Sequence, residues 1–580
     1  KFYFTYLFSG PGNMNEKKTL HHRLIGALLI LLILLLAACA RQGAPPGGPV
    51  DKMPPRILAS WPHPDTTRVA LNSRITLQFN EAVDHRSCEE SIFITPRPAQ
   101  PARFKWHGKK LEILMPGGLL PHRTYVITVG TGTKDLRNIT MAASYSLAFS
   151  TGDSLDRGAL SGQIYSDTAV EGVQLWAYEI NNQEAPNPAT TPPLYVTQAN
   201  VRGEFSLDYL ALGAYRLFAV GDRDLNGRYD AERELIGVAS RDYILTPSQP
   251  RLAGLILRAT LQDTTPPILA GAAAPDNRHV DLRFSERMAE RGLADPGNIT
   301  ITTGSDTLPV LDLFIDQRNT AYLHLLTAPQ RAGAAYQATI RQGWDLANHA
   351  LSDTARTAIF KGAALADTIK PYFISSLPED KARTIALESP VTLYFSEAMD
   401  QPLAALAFAL LDSGKIPVPG RITWRNSAAM VFTPAAPLRP ERPYLVRMAL
   451  DSLHDRQGNR IADTLVTVRF QTLNPDTLSE IAGSLRDDAA GRSGPFHLSA
   501  RAGKEPAIEI TQALEGAYRF ERILPGEYRI DFFRDEDGND RYSYGRPYPW
   551  QPAERYAVYP DTIKVRARWP NEGNNLILPE

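Results

Sequence analysis

Val391-Thr392-Leu393-Tyr394-Phe395-Ser396-Glu397-Ala398-Met399-Asp400 is the stretch that decides the fold. Its first half alternates apolar and polar side chains and is rich in β-branched and aromatic residues, the signature of a half-buried strand. A turn opens at once after Phe395. The same strand end occurs at Phe79-Asn80-Glu81, behind Ile75-Thr76-Leu77-Gln78, and at Phe284-Ser285-Glu286. A pattern that returns three times is an internal repeat, and repeats fix architecture before any single element does.

Outward from that strand, the rest of the unit repeats too. Each copy opens on Asp-x-x-x-Pro (Asp51/Pro55, Asp263/Pro267, Asp367/Pro371) with an apolar residue two positions on: Ile57, Leu269, Phe373. Each has a later strand led by a tyrosine (Tyr125, Tyr336, Tyr444), followed after nine to eleven residues by an Asp turn at Asp135, Asp345 and Asp455. Each closes on a strand ending at Phe149, Phe360 or Phe470, and two copies add Thr151 or Thr472. Asp and Asn mark these turns because their side chains bond the local backbone. Phe284 to Phe395 spans 111 residues, the length of one β-sandwich, and Phe79 to Phe284 spans 205, one sandwich plus an insert. Glu81, Glu286 and Glu397 read as carboxylates capping a turn at a strand end, because three identical active sites in tandem would be unusual.

The insert and the C-terminus share a second unit. It opens at Ser161-Gly162-Gln163-Ile164 and Ala482-Gly483-Ser484-Leu485. Gly203, Gly213 and Asp222 keep the same spacings as Gly516, Gly526 and Asp535, and Tyr215-Arg216-Leu217 matches Tyr528-Arg529-Ile530.

Phe395-Ser396-Glu397-Ala398-Met399-Asp400 resembles the signature of the bacterial Ig-like module of S-layer-type and secreted proteins. The first copy departs from it at Val83-Asp84, and the second has no Asp in register. The segments Leu210–Arg216 and Ile523–Arg529 resemble transthyretin-like or carboxypeptidase-regulatory-like modules, small and usually non-catalytic sandwiches. The expectation is an all-β chain of tandem β-sandwich domains, three Ig-like (54–153, 263–363, 367–474) and two transthyretin-like (157–260, 479–580).

The N-terminus reads as an address. Met14 is the expected start. Lys17, Lys18 and Arg23 precede an uncharged run from Leu24 to Ala38, 15 residues, short of the ~20 that span a bilayer. A basic region, a short apolar region and small residues make a secretory signal, here 1–38. Leu36-Ala37-Ala38-Cys39 resembles the lipobox of bacterial lipoproteins, which implies an acylated Cys39 and a membrane anchor. Residues 39–53 then form a Pro/Gly tether. By the same resemblance Ala40 favours the outer membrane, with the side faced left open.

Two loops look chemical. Asp222, Asp224 and Asn226 occupy positions 1, 3 and 5 of a turn with Gly227 at 6 and Asp230 beyond. Asp535, Asp537 and Asn539 repeat it, with Asp540 at 6. Clustered oxygens suit a hard cation, Ca2+ above all. Position 12 is Arg233, with Glu232 and Glu234 out of register, so the loop is no EF-hand. The alternative is an Asx turn neutralised by Arg223, Arg228, Arg534 and Arg541. Tyr542, Tyr544, Arg546, Tyr548 and Trp550 form the candidate contact surface, with an ordered loop lid as the alternative. The seven Trp otherwise read as core and edge packing.

The sequence excludes other classes. A chain 43% hydrophobic and 22% charged is not disordered throughout. A net charge of −1 offers no field for nucleic acid. Two Cys support neither a disulfide scaffold nor a Cys-rich zinc site. No His-Glu-x-x-His, nucleophile elbow or phosphate loop occurs. The expected function is a non-enzymatic, lipid-anchored envelope array, a spacer or adhesion protein presenting its C-terminal domain away from the membrane. The alternative is a carbohydrate- or peptide-binding accessory subunit of an envelope uptake or secretion system.

Overall fold

The computed structural model describes residues 52–98, 100–170, 172–180, 185–451, 453–503 and 506–580. The signal, Cys39, the tether through Asp51 and the start at Met14 lie outside the described residues. Among the described residues no helix is long and apolar enough to cross a membrane.

The regular structure of the described residues is nearly all strand, and the strands fall into five groups in sequence order. The first, third and fourth domains are built alike. In the fourth, Phe373–Leu377, Val391–Phe395, Ala429–Pro434 and Gly420–Asn426 form one sheet in that order. Ala382–Ile385, Leu465–Thr472, Pro443–Ala449 and Phe408–Leu411 form the facing sheet. The strand that decided the reading, Val391–Phe395, is central in its sheet and buried throughout.

The repeated residues turn out to be the joints of this sandwich. Tyr125, Tyr336 and Tyr444 each accept a hydrogen bond from the backbone N–H five residues upstream: Leu120 at 2.7 Å, Arg331 at 2.8 Å, Arg439 at 2.8 Å. Each ring stacks on the closing Phe, with centroids 5.7, 5.3 and 5.7 Å apart. This is the logic of a tyrosine corner, a buried ring whose hydroxyl ties down a crossing loop. Thr151 and Thr472 finish the same corner, donating to Leu120 O and Arg439 O at 2.7 Å. Asp455 Oδ1 accepts from Gln457 N and Asn459 N, and Asp135 does the same for Arg137 N and Ile139 N.

The second and fifth domains share one topology. Tyr195–Gln198, Gln174–Glu179, Gly213–Val220 and Leu235–Val238 form one sheet, matched by Ile508–Gln512, Phe496–Arg501, Gly526–Arg534 and Tyr556–Val558. The facing sheets hold three strands each, with the last strand parallel to the first. That parallel strand explains the shared opening glycine. A Cβ on Gly162 would sit 1.9 Å from Leu255 O, and one on Gly483 would sit 2.0 Å from Asn574 O.

The array does not run end to end. The fifth domain folds back on the second. Trp176, Tyr178, Phe218, Val220, Ile236 and Val238, on the outer face of the second domain's large sheet, form a core shared with Tyr542, Trp550 and Ala553. Strand Gly213–Val220 is therefore buried on both faces, with Leu217 and Ala219 in the domain's own core and Phe218 and Val220 under the fifth domain. Strands apolar on both sides belong where both sides are covered.

Candidate functional site

The sequence-predicted contact residues meet at that docking face. Between the first Asp of the loop and the Glu that returns to it lie twelve residue steps in the second domain (Asp222 to Glu234) and nineteen in the fifth (Asp535 to Glu554). The longer loop reaches across the seam. Trp550 lies over Arg216, whose guanidinium carbon is 3.7 Å from the ring centroid and whose Nε and Nη2 donate to Asp242 at 2.8 Å. Arg258 is caged by the rings of Tyr542, Tyr544 and Tyr556 at 5.1, 5.2 and 4.8 Å. A cation over an aromatic face, taken out of water, is worth about 2 kcal/mol. Gln262 adds a hydrogen bond to Gly545 O at 3.0 Å. Tyr542, Tyr544 and Trp550 thus serve the chain's own packing, as the lid alternative had it. Arg546 is exposed and pairs by backbone with Gln551. Tyr548 is 45% exposed.

Tyr548 closes one side of a groove of about 650 Å3 lined otherwise by the second domain: Glu179, Asn187, Thr190, Thr191, Leu194 and Arg216 among others. Its two charged side chains are engaged. Arg123 of the first domain holds both Glu179 oxygens, at 2.8 and 3.1 Å, and Asp242 holds Arg216. Tyr178 donates to Thr191 O at 2.8 Å and fixes the wall.

The two Asp loops are closed turns with a partner that sequence spacing missed. Asp222 accepts from Asn226 N and Gly227 N, at 3.1 and 3.0 Å, while Asp224 accepts from Asn226 N. Glu234 accepts from Arg223 N at 2.9 Å and Asp230 N at 3.0 Å. Asp535 accepts from Gly538 N, Asn539 N and Asp540 N, and Glu554 accepts from Glu536 N at 2.7 Å and Ser543 N at 2.9 Å. Asp537 takes Asn539 N and the Ser543 hydroxyl. Asp222, Asp224 and Glu234 bring oxygens within 4.8 Å of one another. Asp230 is exposed, and Glu234 stands in its expected place in the cluster. Burial pushes Asp222 up to about 6, and the neighbouring Glu234 adds to it. Burial pushes Glu554 up to about 7, with Asp537 and Asp535 beside it. Burial works against ionised Asp535, yet the N–H groups of Asp540, Gly538 and Asn539 hold it below its ordinary value. These oxygens suit a hard divalent cation.

Glu286 and Glu397 sit among carboxylates rather than capping turns. In the fourth domain Asp367 of the opening motif, Glu397 of the strand end and Asp455 of the turn converge within 4.8 Å. Three segments that only look parallel in sequence therefore make one cluster. Glu397 Oε2 is shut off from solvent and receives no hydrogen bond. Burial, then Asp367 and Asp455, push Glu397 up to about 8. Glu286 is pushed up to about 7 by burial and by Asp263 of its own opening motif. The third domain reaches into the fourth domain's cluster: His279 Nδ1 bonds Asp276 at 2.7 Å and lies 3.8 Å from Asp367. Arg456 seals the junction with Asp312 at 3.0 Å.

Residues 51–151 and 367–472 match the family model described as bacterial Ig-like domain. A search of curated proteins by sequence found no match. Among solved structures, the N-terminal part of the bacterial S-layer protein SbsC is similar at 13% identity and TM-score 0.16, over 36% of this chain and 44% of that one. Domains 1–6 of SbsC are similar at 9% identity and TM-score 0.14, over 91% and 55%. L,D-transpeptidase 1 of Mycobacterium tuberculosis is similar at 14% identity and TM-score 0.14, over 23% and 62%. The chain spans less than half of the first of these and under two thirds of the others. The first and fourth sandwiches of this all-β chain match the model of the bacterial Ig-like domain, and the third repeats their architecture.

Proposed function

We propose that the chain is a non-enzymatic structural protein of the bacterial cell envelope, anchored to the outer membrane through acylated Cys39. The observation that carries the structural part is the use made of the repeated residues. The tyrosine corners and turn aspartates of the Ig-like copies bond backbone. Tyr542, Tyr544 and Trp550 of the fifth domain are spent on docking. Side chains committed to rigidity suit a scaffold. The folded-back fifth domain makes the scaffold a bracket rather than a rod, with its interaction surfaces held close to the second domain.

Metabolic labelling with a palmitate analogue in a Gram-negative host tests the anchor. The expected result is label on the full chain, lost in Cys39→Ala, with the unlabelled variant leaving the membrane fraction. Unlabelled wild-type protein would remove the anchored reading and leave the scaffold intact.

A further inference from the structure

We propose that the groove between the second and fifth domains binds a short neutral oligosaccharide. Seams between domains are where small-ligand sites concentrate, and its volume of about 650 Å3 falls in the ~300–1,000 Å3 range of such sites. The longer loop of the fifth domain carries Tyr548 across the seam to close one side of it. The first copy has no counterpart.

The lining selects the ligand class by elimination. An ionic ligand would need a free counter-charge, and among the described lining residues the two charged groups are taken, Glu179 by Arg123 and Arg216 by Asp242. A peptide adding as a strand would need an open edge beside the groove. The edge strand Tyr195–Gln198 is already met by the first domain, through Thr95 Oγ1 to Val196 O at 3.0 Å and Arg97 N to Leu194 O at 2.6 Å. Asn187 Oδ1 accepts from Ala189 N and the Thr190 hydroxyl donates to Asn187 O, and a purely apolar ligand would still strand the Asn187 amide nitrogen and the Thr191 hydroxyl. What remains is a molecule with many neutral hydroxyls and flat C–H faces. The hydroxyls suit those two groups, and the C–H faces suit the half-exposed Tyr548 ring.

The test is calorimetry on the full chain with chitotetraose, maltotetraose and xylotetraose, against tetragalacturonate and an uncharged hexapeptide. Saturable binding of at least one neutral tetrasaccharide is expected. Tyr548→Ala should weaken it about tenfold, the scale of one lost aromatic contact, while Tyr548→Phe leaves it unchanged. Equal melting temperatures of the variants would show that the seam is intact. Binding of no neutral tetrasaccharide, tighter binding of the acidic sugar or the peptide, or unchanged affinity in Tyr548→Ala would overturn the proposal. Labelling of Cys39 is independent of each outcome.

Discussion

The guanidinium of Arg216 and the indole of Trp550 lie 3.7 Å apart, though 334 residues separate them in the chain. Each is held from its other side, Arg216 by Asp242 and Trp550 by its place in the shared core. Removing the ring exposes an apolar face and costs about 3 kcal/mol of packing. Trp550→Ala should release the fifth domain from the second. Small-angle scattering would then show a larger maximum dimension with unchanged secondary structure. Trp569→Ala, at a site 72% exposed, should change nothing.

Tyr444→Phe keeps the ring stacked on Phe470 and removes only the acceptor for Arg439 N. The expected loss is about 1–2 kcal/mol, the cost of one unmade bond in a half-buried corner. Urea unfolding should show it in the fourth domain alone. Tyr125→Phe should act on the first domain in the same way.

Glu397 gives the third–fourth junction a pH dependence. Its folded pKa, about 8, lies above its ordinary 4.5, so the folded state binds the proton more tightly. The associated stability is complete below about pH 4.5 and is lost as pH rises toward 8. His279 acts in the same direction. Burial opposes its charge, yet Asp276 and then Asp367 raise its pKa, and that contribution too fades as pH rises. Thermal melting between pH 5 and 9 should fall with pH in the wild type, and Glu397→Gln should flatten the slope.

Calcium should raise the melting temperature of the second and fifth domains. Burial and neighbouring carboxylates push Asp222 up to about 6 and Glu554 up to about 7, and a divalent ion would favour the ionised form of both. Asp222→Ala/Asp224→Ala should abolish the calcium response of the second domain in calorimetry. Unchanged melting in calcium and in chelator would leave both loops as self-contained turns.

The turn aspartates were legible in sequence because each is local, an Asp and the amides just after it; the tyrosines were legible as repeated strand starts, and their tie to the loop five residues upstream came with the fold. Glu234 and Glu554 were not, because the longer loop of the fifth domain breaks their register although both accept from the residue after the first Asp. The convergence of Asp367, Glu397 and Asp455 was hidden for a different reason. Each residue has its own local explanation, and only the sandwich brings the three ends together. The fold-back did leave a trace. Tyr215-Arg216-Leu217-Phe218-Ala219-Val220 is buried without alternation, whereas its counterpart strand Gly526–Arg534 alternates. An antiparallel strand apolar on both faces in only one of two sister domains calls for a second cover.

The fold-back also governs how the chain would carry tension. A pull between the first and last domains need not pass through the third and fourth. It runs from the first domain into the second and straight across the Arg216–Trp550 face to the fifth. The third and fourth domains hang as slack in a side loop. Under load the face would give way before any sandwich unravels, paying out two folded domains of reserve length and then reclosing when the strain is gone.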